Sequence, residues 1–378
     1  MPLEIGRWLP EFPVRERCLY LNHAAVCPLP RRVAEAMRQR VAELETTGAV
    51  AWEQWRQTEL KARSLAAQLT AARAEDISLV RSTSEGLSLV AHGLEWRKGD
   101  VVLVGEEEFA ANVAPWLALA RRGVKVVRFP TPSGRIRPEI VVPLLKPPVR
   151  LLALSWVSFH TGWVAPVAEL ADAAHREGIL VVVDAIQGLG ALPANFAALG
   201  ADAVAADGHK WLLGPEGLGV LITRPELRAR LHPALAGWLN VRRKPGSLFL
   251  HELEFLPDGR RFEAGAMPTV LVAGLAAALD LLLDADPQDV HERIVRHNRT
   301  ITQMLVQAGW QVVSPGAGHE ASGIVAARHP FLPAEEVRRR LEARSVIVGA
   351  REGLVRFSPH FYATAGELDA LRVLLARL

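Results

Sequence analysis

Short apolar runs recur along the first two-thirds of the chain, and stretches with helical spacing separate them. The runs fall at residues 77–80, 101–104, 124–129, 151–155, 179–183, 203–206 and 218–223. Each is nearly unbroken rather than alternating, the pattern of a strand covered on both faces. Residues 30–39 begin an amphipathic helix, 52–71 continue in the same period, and LSLVAHGL follows the first strand with helical spacing. Strands linked by helices in this way predict a mainly parallel α/β sheet with helices on both sides. Right-handed crossovers then align the carboxyl ends of the strands along one edge.

After Arg261 the pattern changes. An apolar helix over 269–284 leads to another near 290–305. Strand-like QVVSP, GIVAARH, VIVGA and LVRFSP follow, with helices at 334–343 and 365–378. This predicts a smaller α+β domain of about a hundred residues. The sequence has no internal repeat or low-complexity segment, and TPSGRI and RRKPGS read as loops.

Half of the 378 residues are hydrophobic and 22% are charged, which excludes a disordered or fibrous chain. The net charge is +3 and the basic clusters are scattered, so nucleic acid is not expected as a partner. Only six of the 44 basic residues are lysine, so a lysine inside a motif stands out. Cys18 and Cys27 are too few for a disulfide framework or a metal site, and reduced thiols in a cytoplasmic protein are expected. The N-terminal MPLEIGRWLPEF lacks the apolar core of a signal peptide, and the apolar stretch 270–283 is broken by Asp280. That stretch is too short to cross a bilayer, so no membrane partner is expected.

In open α/β sheets, ligands bind outside the carboxyl ends of the strands. The polar residues there are Ser82, Thr83 and Ser84; residues 106–112; residues 155–161; Asp184 to Gln187; and Asp207 to Lys210. There is no phosphate loop of the G-x-x-x-x-G-K-[ST] type, no complete dinucleotide glycine motif and no G-x-S-x-G elbow. His291 and His297 miss metal-ligand spacing, so no metal is expected. What remains is an acid at one strand end, Asp184, and a lysine at the next, Lys210. An aspartate can keep a pyridine nitrogen protonated, and a lysine can form an imine with an aldehyde. Together these are what a protein supplies to pyridoxal 5'-phosphate. Ser82, Thr83 and Ser84 at a helix start suit its phosphate.

VVVDAIQGLG followed by AADGHKWLLGPEGLGVL resembles the core of the fold-type I pyridoxal-phosphate enzymes of the class V aminotransferase group. The likeness runs from YLNHAA through RSTSEG, EEEFAANVAPW and RFEAGAMP to VRFSPHFYAT, almost the whole chain. It implies an α/β fold with a large domain built on a mostly parallel, seven-stranded-type sheet (residues 16–280) and a small α+β domain (residues 1–15 and 281–378). It implies that Lys210 is the Schiff-base lysine and Asp184 the partner of the pyridinium nitrogen. Gln187 is then the residue for the ring hydroxyl, and His209, Thr83 and Ser84 belong to the phosphate's surroundings. Phe109 falls where the group stacks an aromatic ring, and Arg356 matches the arginine for the substrate carboxylate. Asn22, His23 and Ala24 lie in the segment that lines the substrate pocket. Gly265 and Ala266 lie in a stretch lent across a dimer interface, which implies a homodimer.

Three positions depart from the group. Phe159 stands where Asn is common, Asp207 replaces a phosphate-binding Ser, and Ala266 replaces Thr. The segment VIVGAREGLVRF also lacks the cysteine on which desulfurases form a persulfide. The compact ending favours an enzyme acting at the α-carbon of an amino acid, with transamination, epimerisation and elimination all open and the epimerase-like branch preferred. A cysteine desulfurase or selenocysteine-lyase-like C–S lyase without a persulfide loop is the alternative. A non-catalytic protein of the same fold and a nucleotide-binding α/β protein are the readings of other classes.

Overall fold

The computed structural model describes residues 4–244, 246–316 and 318–378. All seven apolar runs are strands: β1 Ile77–Val80, β2 Val101–Gly105, β3 Lys125–Phe129, β4 Val149–Ser155, β5 Leu180–Asp184, β6 Ala203–Asp207 and β7 Gly219–Thr223. They form one sheet in the order β3-β2-β4-β5-β6-β7-β1. From β3 to β6 every pairing is parallel. β7 runs antiparallel to both β6 and β1. Every residue of β1, β2, β5, β6 and β7 is buried, whereas edge strand β3 exposes Lys125 and Arg128. Charges on an edge strand discourage pairing with another chain.

The reversed β7 matters for position. The chain leaves β6 at Asp207 and returns directly, so residues 208–218 stay at the carboxyl edge of the sheet. Two glycines allow this close return. A Cβ on Gly219 would lie 2.2 Å from the Ala206 carbonyl, and one on Gly208 would lie 2.6 Å from that of Leu218.

Apolar side chains cover both faces of the sheet. One face carries α1 (Arg31–Thr46), α2 (Trp52–Thr70) and the apolar helix of residues 269–284, which pack together. On the other face lies α3 (Thr83–Gly93). The small domain is an antiparallel sheet of β8 Gln311–Val312, β9 Val325–Arg328, β10 Gly349–Arg351 and β11 Leu354–Phe357, in the order β10-β11-β9-β8. The expected VIVGA strand is split. Val346–Ile347 pairs with Leu19–Tyr20, and only Gly349 onward joins the sheet. Asn22 bridges to Ser358, so the N-terminal segment runs along this domain before entering α1. Among the described residues, no helix is long and apolar enough to cross a membrane.

One buried ion pair ties the large domain together. Arg63 of α2 meets Glu263, and both side chains are almost fully buried. Glu263 also accepts from the Leu79 amide at 2.8 Å, joining β1 to the stretch before Gly265. Burial pushes the Glu263 carboxyl up to about 7, and the Arg63 charge opposes that rise. Arg63→Met strands a buried acid, so we expect a loss of about 3–5 kcal/mol in denaturant unfolding. A loss under about 1 kcal/mol would contradict this account of the pair.

Candidate functional site

A cavity of about 330 Å³ lies at the carboxyl edge of the large sheet. That is the size of a small-molecule site. β5 ends at Asp184 just behind the lining residues Ile186 and Gln187, and the β6–β7 return brings Asp207, His209 and Lys210 into the wall. Asp184 is 3% exposed. Its Oδ1 accepts from the Ile186 amide at 3.0 Å, and no hydrogen bond to Oδ2 occurs among the described residues. Burial pushes its carboxyl up to about 6, against the opposing pull of the Ile186 hydrogen bond and the Lys210 charge. Burial brings the Lys210 amine down to about 8, while Asp184 raises it and Arg356 lowers it further. The two residues sense each other without forming an ion pair among the described residues.

The rest of the wall is polar on one side and aromatic on the other. Gln187 is fixed at both ends: its Oε1 accepts from Trp211 Nε1 at 2.9 Å, and its Nε2 donates to the Ala24 carbonyl at 2.9 Å. One amide hydrogen of Gln187 is left for a ligand. Ser82 caps α3 by accepting from the Glu85 amide at 3.1 Å, and Ser82, Thr83 and Ser84 all line the cavity. The first amides of a helix have no partner within it, so this wall suits an anion. Phe109 is half-exposed, and its ring centre lies 5.9 Å from Lys210 Nζ. Phe109 and Phe159 meet edge to face at 5.2 Å.

Arg356 is 2% exposed, and its guanidinium donates to the Phe159 carbonyl. Burial, then the nearby Arg351 charge, lowers it to about 9. Its Nε is buried without a partner, as is Asn22 Oδ1. They lie 3.4 and 3.0 Å from the position a Cβ would take on Gly349. A donor and an acceptor thus face a space that only glycine leaves open.

Several expectations change here. Ala24 lines the cavity, but Asn22 and His23 do not. His23 is fully buried, with Nδ1 3.1 Å from the Ser358 carbonyl and Nε2 2.9 Å from the Tyr362 hydroxyl. Burial and the neighbouring His360 hold its pKa well below the ordinary value. It is a neutral packing residue with both nitrogens engaged. Gly265 and Ala266 are exposed and lie outside the cavity of their own chain. Asp207 spends its charge locally: Oδ1 accepts from the Gly208 amide at 2.7 Å, and Oδ2 lies 3.2 Å from His209 Nδ1. Its amide donates to Thr83 Oγ1 at 3.0 Å, which leaves the Thr83 hydroxyl hydrogen free.

Two residues of the site were not singled out from the sequence. Arg351 lines the cavity beside Arg356. Glu108 accepts from the Ser155 amide and hydroxyl at 2.7 and 2.5 Å. Ser155 is the register partner of Asp184, so Glu108 braces the strand beside it. Burial pushes the Glu108 carboxyl up to about 7. The signal for Glu108 was its place after β2. For Arg351 it was the two-residue gap between two strand-like runs.

The class V aminotransferase family profile matches residues 19–371. The chain belongs to that family. It is a pyridoxal-phosphate-dependent enzyme of the class V group. It is 32% identical over 368 residues to a probable cysteine desulfurase of Aeropyrum pernix, covering 91% of this chain and 86% of the relative. It is 34% identical over 296 residues to the cysteine desulfurase CsdA of Escherichia coli, covering 73% and 70%. Among solved structures it resembles a complex of the cystine C–S lyase C-DES with its product cysteine persulfide. The TM-score is 0.90 at 24% identity, over 97% of this chain and 99% of that one. These names lend the epimerase-like preference no support.

The depressed Lys210 pKa is open to measurement. In protein stripped of cofactor, acylation of Lys210 by an amine-reactive reagent, followed by peptide mass spectrometry, should show a midpoint near pH 8. Asp184 raises the lysine, so Asp184→Asn should move the midpoint lower. A wild-type midpoint near the usual value of about 10.4 would contradict the site as described.

Proposed function

We propose that this chain is a C–S lyase that breaks the Cβ–S bond of a cysteine-type amino acid and lets the sulfur leave in solution. The observation that carries the proposal is a cavity walled by Lys210, Arg351 and Arg356 with no cysteine among its described lining residues, in a chain related to cysteine desulfurases. Cys27 is buried, its Sγ donating to the Gly214 carbonyl at 3.4 Å, and burial pushes its thiol up to about 12. Cys18 is half-buried and also lies outside the cavity. Neither suits the formation of a persulfide, which requires a reachable thiolate.

The residues present fit pyridoxal 5'-phosphate. Asp184 has a free carboxylate oxygen for a ring nitrogen, and a cation there would favour its ionised form. Gln187 has one amide hydrogen for the ring hydroxyl, and Phe109 offers an aromatic face. Thr83, Ser84 and His209 would hold the phosphate at the start of α3. Bound there, the group supplies a carbonyl for the substrate's amino nitrogen and an electron-withdrawing ring that acidifies the Cα–H bond.

The chain does the rest. Arg356 binds the substrate carboxylate with its unpartnered Nε, which a two-pronged guanidinium suits. Lys210 Nζ takes the Cα proton. Burial already brings its pKa down to about 8 in the free chain, in the direction a general base near neutral pH requires. Phe109 and Phe159 would set apolar surface against one side of the reacting carbons. Gly265 and Ala266, exposed beside exposed Trp238, would reach the cavity of a second copy in a homodimer. Leu239 N meets the Ala264 carbonyl at 3.4 Å, which places these two stretches together.

The proposal predicts pyruvate, ammonia and a reduced sulfur product from L-cysteine or its disulfide. A Cys18→Ala/Cys27→Ala double variant should retain turnover within about twofold, as sites away from the chemistry do. A persulfide trapped on either cysteine, or loss of turnover in the folded double variant, would overturn it. So would racemised amino acid as the sole product.

A further inference from the structure

Arg351 is charged, lines the reaction cavity and has no part in the steps above. It ends β10, and Arg356 lies on β11 alongside. The register pairs Gly349 with Arg356 and Arg351 with Leu354. Alternate residues of a strand share a face, so the two arginines lie on the same face of this hairpin. They are diagonal neighbours, with Cα atoms roughly 7–8 Å apart. Gly349, opposite Arg356 and on the same face, adds no side chain between them.

Like charges so placed repel, and no acid of the chain offsets them. Among the described residues neither arginine forms an ion pair. Arg351 Nη1 donates to the Ala350 carbonyl at 2.7 Å, and Arg356 donates to the Phe159 carbonyl. Burial and then the Arg351 charge lower the Arg356 guanidinium. Bound anions relieve such repulsion. The α-carboxylate of an amino acid answers one guanidinium and leaves the other.

The surroundings fix where a second anion would lie. Arg356 is buried and Arg351 is exposed, so the first lies deep in the cavity and the second near its rim. The chain turns directly after Arg351. Glu352 and Gly353 have φ of +47° and +72°, the left-handed pair that a two-residue hairpin turn requires. The turn sends Glu352 into the wall of an adjoining cavity of about 450 Å³. Glu106, Glu107 and Glu108 line that cavity too, together with Arg328, and Phe159 lines both cavities. An anion is drawn to the Arg351 side of Phe159 and repelled by the acids on the other.

We propose that Arg351 is a specificity residue for a second anionic group on the substrate. The inference rests on the C–S lyase reading above and narrows its substrate to an S-substituted cysteine whose substituent ends in an acid. Arg356 holds the α-carboxylate, and Arg351 holds the acid of the substituent nearer the rim. Lys210 Nζ takes the Cα proton, the Cβ–S bond breaks, and its electron pair leaves with the sulfur. The sulfur departs as the thiolate of its substituent and takes up a proton. The remaining three-carbon fragment takes up one water and ends as pyruvate and ammonia. No oxidant, reductant or enzyme thiol is consumed.

The test is pyruvate release by the holoenzyme from S-carboxymethyl-L-cysteine and from its uncharged isostere S-carbamoylmethyl-L-cysteine, with L-cysteine as the unsubstituted control. Titration of the cofactor's absorbance with each compound reads binding apart from turnover. We expect kcat/KM for the acid to exceed that for the amide by about tenfold or more. Arg351→Gln should cut this acid-to-amide ratio about tenfold, through KM. Unchanged cofactor absorbance in the variant shows that it folds. An acid-to-amide ratio of one or less in the wild type would overturn the assignment and leave the C–S lyase reading standing. So would a ratio that Arg351→Gln leaves unchanged, since a residue that only helps hold the α-carboxylate affects both compounds alike. Pyruvate from L-cysteine but from neither substituted compound would do the same. No pyruvate from any of them would overturn that reading and the assignment with it.

Discussion

A carboxylate and an amine held out of water at one sheet edge govern the rest of this structure. Burial works against both charges, raising Asp184 to about 6 and lowering Lys210 to about 8. Each partly offsets the other's shift, so removing either would drive its partner further from its ordinary range. The fold maintains that tension by setting Asp184 at the end of a fully buried strand and Lys210 on a short return that cannot leave the edge. A ligand with a basic ring nitrogen and an aldehyde relieves both at once. In the proposed reading, the α3 amides and the unpartnered Arg356 Nε would serve the anionic ends of cofactor and substrate.

Charge is sorted over a longer range as well. The wall around Lys210 is rich in cations, and the adjoining cavity is rich in acids. The division follows the seam between the large sheet and the small antiparallel sheet. One hairpin contributes opposite charges to its two sides, Arg351 from the end of β10 and Glu352 from the turn that follows. In a water-poor cleft such charges discriminate between ligands more strongly than exposed ones do.

Much of this was legible in the sequence. All seven large-domain strands lie where unbroken apolar runs stand, because a strand buried on both faces leaves no other pattern. The direction of β7 was not legible, since a buried strand reads the same whether parallel or antiparallel. Asp184 and Lys210 stood out because one ends an unbroken apolar run and the other comes three residues after the next strand. Arg351 and Glu352 did not, because their importance comes from a hairpin that folds two distant segments onto the cleft. His23 misled for the opposite reason. Its motif lies near the site, but hydrogen bonds to Ser358 and Tyr362 use up both of its nitrogens. Asp207 looked hostile to phosphate and proves to be occupied by Gly208 and His209.

The most direct test asks where the cofactor is attached. The purified protein is reduced with borohydride, digested and mapped by mass spectrometry. The account predicts a pyridoxyl-phosphate adduct on Lys210 and on none of the other five lysines. An adduct at another lysine, or none in protein loaded with the cofactor, would contradict it.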